Sequence, residues 1–194
     1  MEQEITLAEL PVATFAAWIG RLLGVYTAAM DPPERQLAGR EQIMEQHTAN
    51  PAFRALAALD ADGEPAGFSY GFRGESGQWW HDMVAGALAS RNGAGDGMAW
   101  LADSFEVAEL HVLPKWQGRG IGRSLLLGLT QNRPERTAVL STHDSETVAR
   151  RLYRSAGFTD LLTGFRFSGG DPAYAVMGAV LPLRDPRDPR SSAS

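Results

Sequence analysis

The 194-residue sequence predicts an α/β domain built on a mixed, mostly antiparallel twisted sheet flanked by helices. Three observations predict it. Residues 105–113, Phe-Glu-Val-Ala-Glu-Leu-His-Val-Leu, read as a strand that stops at Pro114; a glycine-rich segment then leads into helical spacing at Ile121, Leu125 and Leu129. A second strand and helix follow at 136–142 and 146–155, and Gly157 stops that helix. Two further strand pairs, within 53–72 and 161–181, turn back through Asp60-Ala61-Asp62-Gly63 and Ser168-Gly169-Gly170-Asp171-Pro172, so antiparallel pairing outweighs parallel.

In chain order, Leu7, Leu10, Phe15, Trp18, Ile19, Leu22 and Leu23 recur at helical spacing, which predicts a helix over 6–29 ended by Asp31-Pro32-Pro33. A second helix is predicted over 34–47 and closed by Asn50-Pro51. Strands at 53–59 and 65–72 form the first hairpin, and a helix runs from Trp79 to Ser90. The glycine-rich stretch 91–97 is expected to be mobile, with Gly93 to Gly97 forming a lid. After Phe158, strands at 161–167 and 174–181 complete a single domain over 1–183. The tail 184–194 alternates Arg, Asp and Pro without apolar residues, so disorder is expected there.

Composition excludes several function classes. A net charge of −5 argues against nonspecific nucleic-acid binding, which needs a basic surface. The absence of cysteine removes disulfides and a thiol nucleophile. The four histidines are scattered and form no His-Glu-x-x-His, so no metal site is expected. Met1-Glu2-Gln3-Glu4 lacks the basic start of a signal peptide, and no apolar run approaches the roughly 18 residues of a membrane span. A cytoplasmic protein with no membrane partner is the expectation.

The chemistry concentrates in Gln117-Gly118-Arg119-Gly120-Ile121-Gly122. Glycines permit tight turns without a Cβ clash, and the freed amides gather at the positive end of the following helix. That arrangement suits a pyrophosphate. It is not the loop of nucleoside triphosphatases, because no lysine follows the glycines, nor the Gly-x-Gly-x-x-Gly of dinucleotide folds. The string Gln-x-x-Gly-x-Gly, after a strand ending Leu-His-Val-Leu-Pro, resembles the Gcn5-related N-acetyltransferase (GNAT) family. The later string Ala149-Arg150-Arg151-Leu152-Tyr153-Arg154-Ser155-Ala156-Gly157-Phe158 resembles that family's second signature, and the likeness covers roughly residues 54–181.

The resemblance implies an N-acetyltransferase that uses acetyl-coenzyme A as cosubstrate and acetylates a primary amine of a small molecule, peptide or protein by direct attack in a ternary complex. It implies that the backbone of Leu110, His111 and Val112 pairs with the pantetheine arm. The amides of Gln117, Gly118, Arg119, Gly120, Ile121 and Gly122 would then hold the pyrophosphate, with Arg119 and Arg123 adding charge-assisted bonds. Tyr153 corresponds to the tyrosine that protonates the departing sulfur. Glu109 stands on the strand where some members carry a catalytic glutamate. By alternation His111 shares its face and has a suitable intrinsic pKa. His143 and Asp144, after the second motif strand, stay open as weaker base candidates. One departure is Glu146, which stands where many members have asparagine. A homodimer is one assembly the family allows.

Two other readings carry residues of their own. The first keeps the fold as a catalytically silent acyl-coenzyme A sensor or interaction module. The second takes Gly67-Phe68-Ser69-Tyr70-Gly71 as a hydrolase elbow, but a strand end and turn follow where a helix is required. Trp79-Trp80 read either as a stacking wall or as packing residues.

Overall fold

The structure, a computed structural model, describes residues 4–37, 39–92, 97–167 and 172–185. Its strands are β1 (Thr6–Glu9), β2 (Arg54–Leu59), β3 (Pro65–Arg73), β4 (Ser104–Val112), β5 (Thr137–His143), β6 (Thr159–Phe165) and β7 (Tyr174–Val180). Its helices are α1 (Val12–Met30), α2 (Glu34–Leu37), α3 (Arg40–His47), α4 (Trp79–Asn92), α5 (Ile121–Thr130) and α6 (Val148–Ser155). The strands form a seven-stranded sheet in the order β1-β2-β3-β4-β5-β7-β6. The β4–β5 pair is parallel, while β1–β2, β2–β3, β5–β7 and β6–β7 are antiparallel. This is the α/β domain with a mixed, mostly antiparallel sheet that the sequence predicts.

Two predicted elements differ. The first helix begins at Val12, nearly two turns later than its apolar spacing suggests, because Thr6–Glu9 pairs with β2 as an edge strand. Pro11, at ψ 151°, separates that strand from α1. The helix expected over 34–47 is broken into α2 and α3 at Gly39, whose φ of 82° is left-handed. The expected lid (Gly97 apart), the turn at 168–171 and the tail beyond Asp185 lie outside the described residues. Gly97 is buried against Leu88.

The chain forms two compact units. One takes the chain up to Phe72 together with Val107–Leu129; the other takes Arg73–Glu106 together with the chain from Thr130. The core of the first is built by Phe15, Ile19, Leu22 and Tyr26 of α1, Met44 of α3, Ala55 and Ala57 of β2, and Phe68, Tyr70 and Phe72 of β3. Phe15 anchors it, with its ring 5.0 Å from Phe53 and 5.1 Å from Tyr70. By length and composition α1 could also cross a membrane, which corrects the expectation that no apolar run is long enough. Its alanines, glycines and threonines supply that length between the large side chains, and Phe15, Ile19, Leu22, Val25 and Tyr26 serve the core.

Within this unit β3 sets the edge that β4 presents. The Leu113 amide donates to the Ala66 carbonyl at 2.9 Å. Antiparallel partners alternate, so His111 also turns its backbone toward β3, while Leu110 and Val112 turn theirs away. β4 pairs with β5 over Ser104–Glu106, ahead of this stretch. Gly67 permits the approach: a Cβ there would stand 2.8 Å from the His111 carbonyl oxygen and 3.2 Å from Leu125 and Val112 side-chain carbons. Ser69 lies inside β3, fully buried, with its hydroxyl donating to the Leu125 carbonyl at 3.4 Å, so it is no hydrolase nucleophile.

In the second unit, Val84 and Leu88 of α4 pack with Leu101, Val139, Leu162 and Val176. Trp80 joins this core and donates through Nε1 to Ser141 Oγ at 3.1 Å, whereas Trp79 is 65% exposed beside Phe167. Trp80 is thus a packing residue.

Gly67→Ala forces a methyl onto a backbone oxygen that cannot rotate away. It should lower stability by about 1–3 kcal/mol, read from the denaturant midpoint; an unchanged midpoint would show that β3 and β4 do not approach so closely.

Candidate active site

The glycine loop belongs to the first unit. After Val112 the chain makes a 3-10 turn over Pro114–Trp116, and Gly118 and Gly120 then adopt φ of 76° and 82° before α5 begins at Ile121. Those dihedrals are open to glycine at little cost and to a β-branched residue only under strain. The Ser124 amide makes the first backbone bond of the helix, to Gly120 at 3.0 Å. The amides of Ile121 and Gly122 precede it and have no carbonyl four residues back in the helix. They point with the helix dipole at the space in front of the loop. Gln117 ties the loop to the strand by donating from Nε2 to the Val112 carbonyl at 2.9 Å. Trp116 is buried beneath, and the Arg119 guanidinium rests 4.8 Å from its ring centroid.

A charged network lies on the adjacent face of β4. Glu109 accepts from Arg40 Nη1 of α3 at 2.8 Å through Oε1, and its Oε2 bonds His111 Nε2. Arg40 Nη2 donates to the Tyr26 hydroxyl of α1 at 2.7 Å. The Tyr26 ring stands edge-on to His111, 5.1 Å away at 88°. Behind them, His47 Nδ1 and the Tyr70 hydroxyl are 3.1 Å apart. Burial pushes the Glu109 carboxyl upward, but the His111 hydrogen bond and then the charges of His111, Arg40 and His47 outweigh it and hold it below the ordinary glutamate range. Burial lowers His47, against the pull of Glu109.

The other predicted residues lie in the second unit. Tyr153 is buried on α6 with its ring 5.8 Å from Phe158. His143 stacks on Tyr174 at 5.2 Å. Asp144 is held by the Gly164 amide at 2.6 Å and by Arg150, which also bonds Asp160 at 2.9 Å. The Gly164 amide first, and then Arg150, keep Asp144 below the usual aspartate range, so it is a structural anchor and a poor base. Glu146 pairs with Arg154. Among the described residues no group of acidic and histidine side chains could hold a metal.

Sequence reasoning finds Glu109, His111 and the loop but misses Arg40 and Tyr26. Arg40 lies 69 residues from Glu109, and no local spacing connects them. Nothing in the sequence around Arg40 points to that partner.

Because the folded Glu109 carboxyl ionises at lower pH than the unfolded one, its stabilisation is full above the ordinary value of about 4.3 and is lost as pH falls through the folded value. Glu109→Gln should therefore cost about 1–3 kcal/mol at pH 7, and its deficit against the natural protein should shrink as the pH drops below 4.3. Thermal melts across pH 3–8 check this, and a deficit constant with pH would contradict it.

Likenesses to known proteins agree with this geometry. The acetyltransferase (GNAT) domain profile matches residues 56–160. The chain is 32% identical to the GCN5-like protein acetyltransferase Rv2170 of Mycobacterium tuberculosis, over 92% of this chain and 99% of that protein. It is 28% identical to the aminoglycoside N(6')-acetyltransferase type 1 of Stenotrophomonas maltophilia, over 80% of this chain and 86% of that protein. The fold is shared with a phosphinothricin acetyltransferase of Sinorhizobium meliloti in complex with acetyl-coenzyme A, at TM-score 0.55 and 17% identity, covering 93% and 89% of the two chains. On the profile match and the full-length relative together, the chain belongs to the GNAT family: it is an acyltransferase with acetyl-coenzyme A as its cosubstrate.

Proposed function

We propose that the protein moves the acetyl group of acetyl-coenzyme A onto a primary amine, which attacks the thioester directly while both substrates are bound. The observation that carries this reading is the gathering of loop amides at the start of α5, directly after strand β4. The amides of Gly118, Arg119, Gly120, Ile121 and Gly122 hold the pyrophosphate, the Gln117 amide being bonded to the Pro114 carbonyl at 3.2 Å, and Arg119 and Arg123 add charge. The backbone of Leu110, His111 and Val112 pairs with the pantetheine arm as an added strand would. Tyr153 protonates the leaving sulfur, and Glu109, with His111 bonded to it, supplies the basic side of the site. The domain so assigned spans 1–183.

An amine on a protein or peptide is favoured as acceptor, because the relative matched over almost its whole length is named a protein acetyltransferase. The aminoglycoside relative supports a small polyamine as the second reading.

Thiol release from acetyl-coenzyme A, run over lysine peptides, peptides with free N-termini and an aminoglycoside, should single out a peptide amine. Tight cofactor binding with no release on any amine would overturn the assignment. Tyr153→Phe should lower kcat by about ten- to a thousandfold with coenzyme A affinity unchanged, and full turnover would remove Tyr153 from the acid role. Gly120→Val, at a φ of 82°, strains the loop and should weaken coenzyme A binding about tenfold or more in calorimetry. Equal affinity would place the pyrophosphate elsewhere.

A further inference from the structure

We propose that His111 is the group that takes the proton from the attacking amine, through Nδ1, and that Glu109, Arg40 and Tyr26 are positioning residues that hold its imidazole ready. This rests on the amine-acetylation reading above and divides the labour within it.

Hydrogen-bond chemistry assigns the tautomer. An ionised carboxylate only accepts, so the contact between Glu109 Oε2 and His111 Nε2 puts the imidazole proton on Nε2 and leaves the lone pair on Nδ1. That contact is the one side-chain hydrogen bond of His111 among the described residues. Glu109 itself is a poor proton acceptor. Its second oxygen takes the Arg40 Nη1 bond at 2.8 Å, so both oxygens already bind N–H donors, one from a permanent cation. Arg40 is fixed in turn by the Tyr26 hydroxyl at 2.7 Å, with its guanidinium carbon 4.5 Å from that ring's centroid. Tyr26 at 5.1 Å and Phe68 at 5.5 Å confine the imidazole plane. His111 also sits between Leu110 and Val112 on β4, just ahead of the glycine loop.

The titratable and charged groups around this imidazole are Tyr26 from α1, Arg40 and His47 from α3, Tyr70 from β3 and Glu109 from β4. In the step, the N–C bond forms as the C–S bond breaks. The amine proton passes to His111 Nδ1, and the sulfur takes a proton from Tyr153. Both side chains then recover by exchange with water.

The experiment uses the full chain in two arms. Long-range 1H–15N spectra of histidine-labelled protein read the tautomer, with His111→Gln giving the assignment; Nε2–H is expected in the natural protein, with the preference weakened in Glu109→Gln. Kinetics on the acceptor found by thiol release form the second arm. His111→Gln should lower kcat/KM by about 10²- to 10⁴-fold and flatten the acid limb of the pH profile. Arg40→Met releases the guanidinium's hold on Glu109, so it should weaken the Nε2–H preference and bring kcat/KM to a value between those of the natural protein and His111→Gln. Arg40→Lys should restore part of both. An Nδ1–H tautomer, or His111→Gln within threefold of the natural protein with its limb intact, would overturn the proposal while leaving amine acetylation standing. If coenzyme A binds yet no amine is acetylated, the functional reading fails, and the tautomer alone decides whether His111 is set as described.

Discussion

A carboxylate held on the inner face of a strand must be matched by donors, and in the first unit Glu109 organises what surrounds it. Its two oxygens are shared between Arg40 of α3 and His111 two residues along the same strand. Met44 is the one fully buried residue of α3 among its described side chains, so apolar packing alone holds that helix weakly. Arg40, bonded to Glu109 and Tyr26, and His47, bonded to Tyr70, dock it instead. Such polar docking contributes little net stability, because desolvation opposes the attraction. It is directional, however, and it defines one position for α3 and one orientation for the imidazole.

The second constraint is steric. Gly67 lets β3 lie against the His111 carbonyl, and the Leu113–Ala66 bond carries that pairing to the end of β4. The turn that follows converts a strand direction into a helix direction within a few residues. Two left-handed glycines and the Gln117 side chain on the Val112 carbonyl hold it there. The amide cluster is thus fixed by covalent geometry and one side-chain bond, so it is formed before any ligand arrives and loses little entropy on binding.

Local features of the fold were legible in the sequence, and they fail where partners are distant. The loop, the α5 start, the strand before it and the α6 signature were all readable, because glycine dihedrals, Pro114 and four-residue periodicity act within a few residues. The chain start was misread: Leu7 and Leu10 fit a helix as well as a strand, and only pairing with β2 decides between them. The break at Gly39 was missed because glycine also occurs inside helices, and its positive φ shows only in the structure. Glu109 and His111 were legible as same-face neighbours on a strand, but Asp144 stood open between a weak base and a turn or helix-cap residue, because its partners Arg150 and Gly164 come from later elements.

By itself the sequence determined most of the strands and helices from β2 onward, the anion-binding character of residues 117–122 and the family, since each rests on residue types acting on their own stretch of backbone. Only the tertiary structure decided which carboxylate is ion-paired, which imidazole nitrogen meets it and where β3 comes so close to β4 that glycine is required. Those properties belong to contacts between residues far apart in the chain, such as Arg40 with Glu109, and electrostatics in a buried site depends on distances that spacing along a sequence does not encode.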